Sequence, residues 1–249
     1  MNKAYSIVWN SSRQAWVVAS ELARGHGFVL AKNTLLVLTV ASAVGNAFAA
    51  NVNISGTVSE KATVASGNTQ IVYSGGETNN ATVNGGGKQI VNNGGKTTST
   101  IVQNGGVQAV GISGTAISTI VNTGGVQRVS SGGTATGTKL SGGNQNVSSG
   151  GSAIATEVYA GGKQTVYLSG TASGAKLSGG NQNVSSGGKA IDTEVYAGGF
   201  QYVSSGGTAT GTKLSGGNQN VSSGGKAIDA EVYSGGKQTV YAGGEASGT

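Results

Sequence analysis

The sequence predicts an all-β protein, a right-handed parallel β-helix (solenoid) of about ten 18- or 19-residue coils that follows a cleaved N-terminal segment. Three observations carry that prediction. The phrase SGGNQNVSSGG occurs three times, beginning at Ser141, Ser178 and Ser215, a constant interval of 37 residues. The shorter phrase GG-x-Q-x-V and its near variants begins at Gly67, Gly86, Gly105, Gly124, Gly142, Gly161, Gly179, Gly198, Gly216 and Gly235, so the steps are 19, 19, 19, 18, 19, 18, 19, 18 and 19 residues. The 37-residue phrase is therefore a pair of unequal coils, and periods near twenty are the mark of a solenoid. Glycine pairs also fall twice in each unit, as at Gly124–Gly125 and Gly132–Gly133, with short extendable stretches between them and no sustained helical spacing.

Each element follows from that frame. The third residue after the first glycine is glutamine in all ten units, including Gln127, Gln145, Gln164, Gln182, Gln201 and Gln219. Two residues later stands valine, as at Val129, Val147, Val166, Val184, Val203 and Val221. A spacing of two puts both side chains on one face of a strand. The valines must be hidden, so the glutamines of the same parity are expected inside with them, bonded amide to amide between coils and holding register. An outward polar stripe is the alternative. Further along, alanines such as Ala135, Ala153 and Ala172 recur, each followed five residues later by an aliphatic residue, as at Leu140, Val158 and Leu177. Each glycine pair reads as a corner, because glycine reaches positive φ freely. Right-handedness follows from the crossover preference of parallel strands. One coil buries too few apolar groups to offset its own ordering, so stability must come from stacking. At about 4.8 Å per coil, ten coils make a rod of roughly 50 Å.

Composition excludes several functions. The 249 residues include 47 glycines, no proline and no cysteine, with 10% charged residues. Beyond Ala49 there is no His, Cys, Met or Trp. The commonest general base, the usual zinc ligands and a thiol nucleophile are therefore absent from that region, and no metal or cofactor is expected. A calcium solenoid needs an aspartate in each nonapeptide, whereas only Asp192 and Asp229 occur. No glycine pair falls at the G-x-x-x-x-G-K-S/T spacing, which removes a phosphate loop. Beyond Ala49 the chain carries eleven Lys or Arg and eight Asp or Glu, scattered singly, so nucleic acid is not expected as a partner. Glu157, Glu194 and Glu231 precede Tyr159, Tyr196 and Tyr233, and Lys139, Lys176 and Lys213 recur at the same 37-residue interval. A repeated carboxylate array is not a unique acid and base pair, so no catalytic residue is assigned.

The first part of the chain reads as an address. NTLLVLTVASAVGNAFA, preceded by Lys32, has the positive flank, short apolar core and A-x-A ending of a secretory signal, with cleavage expected between Ala49 and Ala50. The apolar run is short of the roughly 20 residues that span a bilayer. The division is thus residues 1–49, an extended signal peptide, and residues 50–249, a β-helical domain of repeats. The extension itself carries NKAYSIVWN and WVVASELARGHG. These stretches resemble the extended signal region of large autotransporters of Gram-negative bacteria, and the wording is similar to that of the AIDA-type adhesins. NISGTVS, TQIVYSGG, IVNNGGKTT and RVSSGG resemble the repeats that open the passenger of the same self-associating autotransporter family.

That resemblance implies a non-enzymatic adhesin, exported by the Sec machinery through the periplasm and displayed at the outer membrane. There it would mediate adherence to a host-cell receptor, autoaggregation with identical passengers on neighbouring cells, and biofilm formation. It also implies heptose on Ser or Thr, placed by a cytoplasmic autotransporter heptosyltransferase; by analogy the candidate acceptors are Ser130, Ser148, Ser185, Ser204 and Ser222, beside the glycine corners. A whole autotransporter continues to a membrane β-barrel, so the chain is expected to be the N-terminal fragment of such a protein. Two alternatives stand beside this reading: a structural stalk that presents another domain, and a β-helical polysaccharide-active enzyme.

Overall fold

The computed structural model describes residues 5–10, 15–20, 47–48, 51–56 and 58–249. The chain divides into two units, residues 1–41 and 42–249. In the first, Tyr5–Asn10 pairs antiparallel with Ala15–Ser20, with Trp9 opposite Trp16. The expected apolar signal core lies almost wholly outside the described residues, as do Ala49 and Ala50.

The second unit is a parallel β-solenoid. Every coil contributes one short strand to each of three 11-stranded sheets, and the strands of a sheet follow one another in chain order. The glutamine sheet runs from Val52–Ile54 to Lys237–Val240, the alanine sheet from Val58–Glu60 to Glu245–Ser247, and the leucine sheet from Ala47–Phe48 to Glu231–Val232. Register is uniform: Gln127 pairs with Gln145, Ala135 with Ala153 and Leu140 with Val158. Cleavage after Ala49 would remove the first strand of the leucine sheet and leave Thr63–Val64 in its place.

The sequence alternation explains the interior. In each glutamine-sheet strand the Gln and Val are buried and their neighbours face outward, as in the buried–half-buried alternation of Asn144–Val147. Valines and alanines from facing sheets pack together, as Val129, Ala135, Val147 and Ala153 do. Val121, Leu140, Val158, Leu177, Val195 and Leu214 form a separate apolar column on the leucine sheet.

The amides form a continuous ladder. The Nε2 of each glutamine donates to the Oε1 of the glutamine one coil earlier, from Gln89 on Gln70 at 2.7 Å through Gln164 on Gln145 at 2.6 Å to Gln238 on Gln219 at 2.7 Å. A second column was not legible beforehand. Buried threonines eleven residues after the glutamine donate to the same acceptor, as Thr138 does to Gln127 at 3.0 Å and Thr193 to Gln182 at 3.2 Å. Ala175 and Ala230 occupy that place beside Gln164 and Gln219, whose Oε1 atoms therefore accept only from the next glutamine. At the other end the buried Nε2 of Gln70 has no partner, and Val52 stands in register with it.

Corners come in three kinds, where the sequence shows two. At Ser130–Gly133 the amide of Gly133 donates to the carbonyl of Ser130 at 2.9 Å, and Ser131 and Gly132 have φ of 51° and 76°. Two successive positive φ values define a type I′ turn. The two glycines do different work. Gly132 supplies the left-handed backbone, whereas a Cβ on Gly133 would lie 2.4 Å from the carbonyl oxygen of Val110 in the previous coil. The leucine-to-glutamine corner is one residue shorter in the 18-residue coils, where Ser141, Gly142 and Gly143 replace the Asn122, Thr123, Gly124 and Gly125 of a 19-residue coil. The third corner, between the alanine and leucine sheets, needs only one left-handed residue, such as Ser118, Gly137, Asp192 or Asp229. Asp and Asn tolerate that conformation because the short polar side chain bonds locally. The two aspartates thus have a conformational task, which a search for calcium ligands does not reveal.

Candidate adhesive and glycan-acceptor surface

The surface groups are placed by the same three corners and three sheets. Ser130, Ser148, Ser185, Ser204 and Ser222 occupy the first position of the turn after the glutamine sheet and are half-buried. The next residue, Ser131, Ser149, Ser186, Ser205 or Ser223, is exposed at the apex. These apices are tied together along the rod: the amide of Ser131 donates to the carbonyl of Ser149 at 2.9 Å, and that of Ser205 to Ser223 at 2.7 Å. Leu168 stands in the same place in one coil and Ile112 in another, both with φ positive, and they interrupt the column with apolar side chains. The sequence drew attention to the serine nearest the strand. The apical one is the more accessible hydroxyl, and its signal was its position between that serine and the glycine pair.

The ladder residues all lie together. Gln127, Gln145, Gln164, Gln182, Gln201 and Gln219 are buried in one hydrogen-bonded column, and Val129, Val147, Val166, Val184, Val203 and Val221 are buried beside it. They are removed from solvent and present no chemistry at the surface.

On the leucine sheet the lysines and glutamates noted separately in the sequence fall into one alternating column. Lys139 pairs with Glu157, Glu157 with Lys176, Lys176 with Glu194, and Glu194 with Lys213. Two of these neighbours are close ion pairs, Lys139 to Glu157 at 3.6 Å and Lys176 to Glu194 at 3.4 Å. Beside them Tyr159, Tyr196 and Tyr233 donate their hydroxyls to Glu157, Glu194 and Glu231. Those hydrogen bonds raise the pKa of all three phenols, because deprotonation would place a second anion against the carboxylate. The Tyr196 bond, with Lys176 and Lys213 assisting, holds Glu194 below the ordinary glutamate range against the opposing effect of partial desolvation. Neutralised in alternation and well solvated, this column is suited to contact along a surface. Among the described residues no cluster of three or more His, Cys, Asp or Glu is arranged to hold a metal.

A polar solenoid with stacked apical hydroxyls and repeating charge presents the same groups coil after coil, the exterior of a structural repeat protein. Comparison with known proteins gives the family. Residues 1–50 match the extended signal peptide of the type V secretion system. Residues 100–143 and 177–217 match the family described as adhesin of bacterial autotransporter system, probable stalk. Over 75 residues the chain is 80% identical to autotransporter adhesin AIDA-I of Escherichia coli, a match covering 30% of this chain and 6% of that protein. The solved structure of a TibC-catalysed hyper-glycosylated TibA fragment superposes with a TM-score of 0.65 at 37% identity, covering 80% of this chain and 87% of the fragment. The chain belongs to the AIDA-type autotransporter adhesin family. It carries the extended signal and the passenger repeats of a family exported and displayed at the outer membrane, and it spans only a small part of the length of autotransporter adhesin AIDA-I.

Proposed function

We propose that residues 50–249 act as a non-enzymatic adhesive passenger segment, released from its signal between Ala49 and Ala50 after Sec-dependent export and glycosylated with heptose on its corner serines. Adherence to a host-cell receptor, autoaggregation with identical passengers and biofilm growth are the activities of this reading. The observation that carries it is the column of exposed apical serines, tied coil to coil by backbone hydrogen bonds and interrupted by Leu168 between Ser149 and Ser186. The hyper-glycosylation of the TibA fragment, 37% identical to this chain, supports the modification and a glycosyltransferase partner. A fixed row of equivalent sites suits both a processive modifying enzyme and multivalent contact, since rigidly joined weak sites gain avidity.

The test is intact-mass analysis of the chain made with and without a cytoplasmic autotransporter heptosyltransferase, followed by peptide mapping. A ladder spaced by heptose and located at Ser131, Ser149, Ser186, Ser205 and Ser223 identifies the apical serine as acceptor. Modification at Ser130, Ser148, Ser185, Ser204 and Ser222 instead assigns it to the half-buried position. An unmodified mass in both preparations rejects the glycosylation reading.

A stalk is the second reading, favoured by the description of the matching family itself. Replacing these coils with a shorter inert spacer distinguishes the two. Retained cell clumping supports a stalk, and lost clumping supports adhesion by the coils.

A further inference from the structure

The charge of the solenoid is distributed unequally among its three sheets. The leucine-sheet strands carry three lysines and three glutamates, and the alanine-sheet strands likewise carry three of each sign. The glutamine-sheet strands carry Lys88, Arg128, Lys163 and Lys237 and no carboxylate at all. All four cations are exposed, and none has an ion-pair partner among the described residues. The positive balance of the repeats therefore resides on one face.

The cations fall on every second strand of that face, and the series is broken once. Lys88, Arg128, Lys163 and Lys237 lie on alternate strands of the sheet, about 10 Å per double step in the stacking direction, with Lys88, Lys163 and Lys237 in one register column and Arg128 two residues further along its strand. The strand that should continue the series between Lys163 and Lys237 instead carries Phe200 and Tyr202. In the flanking double coils the corresponding residues are Lys163 with Thr165 and Lys237 with Thr239. The two rings are nearly parallel, 9° between planes and 5.9 Å between centroids, and Tyr202 is 39% exposed. On either side stand side-chain amides: Asn181 and Asn218 in register with Phe200, Asn183 and Asn220 in register with Tyr202. None of these four amides is hydrogen-bonded within the described residues, so each has donors and an acceptor to offer.

We propose that this face binds an anionic polysaccharide. The chain would lie along the rod with sugar rings against Phe200 and Tyr202, hydroxyls on the asparagine amides and acidic groups toward the flanking cations. Aromatic rings accept the apolar face of a pyranose, amides match its hydroxyls as paired donors and acceptors, and Lys163 and Lys237, each about 10 Å from the aromatic strand and so roughly 20 Å from one another, suit acidic groups on the sugars to either side of those at the rings. A nucleic acid fits less well, because a duplex carries a charge per roughly 1.7 Å of axis. The inference rests on the adhesive reading for its setting and supplies that reading with a ligand class.

The decisive variant recasts the odd strand in the wording of its neighbour, Phe200→Lys with Tyr202→Thr, reproducing the Lys163–Gln164–Thr165 sequence that the solenoid already accommodates. The purified full chain is titrated near physiological salt with heparan sulfate, as a host-type polymer, and with colanic acid, as a bacterial capsular one. Dextran and single-stranded DNA serve as comparison ligands, and circular dichroism monitors the fold. The expected result is salt-dependent binding of one or both acidic glycans, with the preferred polymer naming the source. The double variant should lose about tenfold in affinity, or roughly 1.4 kcal/mol, although it has gained a positive charge. Lys163→Gln with Lys237→Gln should weaken binding and flatten its salt dependence. Equal or tighter glycan binding by Phe200→Lys/Tyr202→Thr overturns the proposal, as does dextran bound as well as the acidic glycans or DNA bound more tightly. Clumping of cells displaying the chain is scored separately. Clumping without glycan binding removes this inference alone.

Discussion

The two faces of the glutamine-sheet strands make an instructive pair. Their inward residues scarcely change over ten coils: Gln and Val recur at every turn, and each new amide bonds to the one before. Their outward residues pass from Lys to Asn to Phe while the same backbone register persists. The interior is fixed by a requirement that each coil shares with its neighbours. The exterior has no such requirement, so function can be written there without disturbing the stack.

The sharpest way to break the inner face is Gln182→Leu. It deprives Gln201 Nε2 and Thr193 of their acceptor, and it strands Gln164 Oε1, which has Ala175 rather than a threonine beside it. Gln127→Leu is gentler, because Gln108 keeps its bond from Thr119. Each buried group left unpaired costs about 1 to 3 kcal/mol, so Gln182→Leu should exceed Gln127→Leu by about one such group in chemical denaturation. Next comes the corner pair. Gly133→Ala forces a Cβ against the Val110 carbonyl and should cost about 2 kcal/mol or more, while Gly132→Ala pays only for a left-handed alanine, about 1 kcal/mol. Reversal of that order would reject the division of labour between the two glycines. Thr193→Ala should cost about 1 kcal/mol, since Ala175 and Ala230 show the site accepts alanine.

The outer face should respond least. Lys176→Ala removes a solvated ion pair to Glu194 and should change stability by about 0.5 kcal/mol or less, with the difference vanishing in high salt. The Tyr196–Glu194 contact sets a pH window. Glu194 is depressed, so its contribution is present above the ordinary glutamate range and fades as pH falls through its lower folded value. The raised phenol adds a contribution present below the ordinary tyrosine range, which disappears as pH climbs through the higher folded value. A tyrosinate absorbance titration comparing the protein with Glu194→Gln should show one of the three late-titrating phenols, that of Tyr196, return toward its usual range.

The same contrast explains what was legible in the sequence. The coil period, the Gln and Val columns and the glycine corners repeat at every unit, so periodicity alone displayed them. The threonine column was obscured because Ala175 and Ala230 interrupt it, and because its bond to glutamine joins residues eleven apart across the interior. The third corner left no uniform letter: Ser118, Gly137, Ala155 and Asp192 all fill one left-handed position. The Lys and Glu columns looked separate at intervals of 37 residues until the register placed them in one line. At the serines the sequence indicated the right corner, and geometry distinguished the half-buried residue from its exposed neighbour.

The direction of the amide ladder gives the rod a head and a tail. Every Nε2 reaches toward the lower-numbered coil, so each Oε1 faces the coil that follows. At the near end Gln70 reaches toward Val52, which offers nothing in return. A valine at that single place closes the ladder behind Gln70, where a glutamine would have extended it by one more rung.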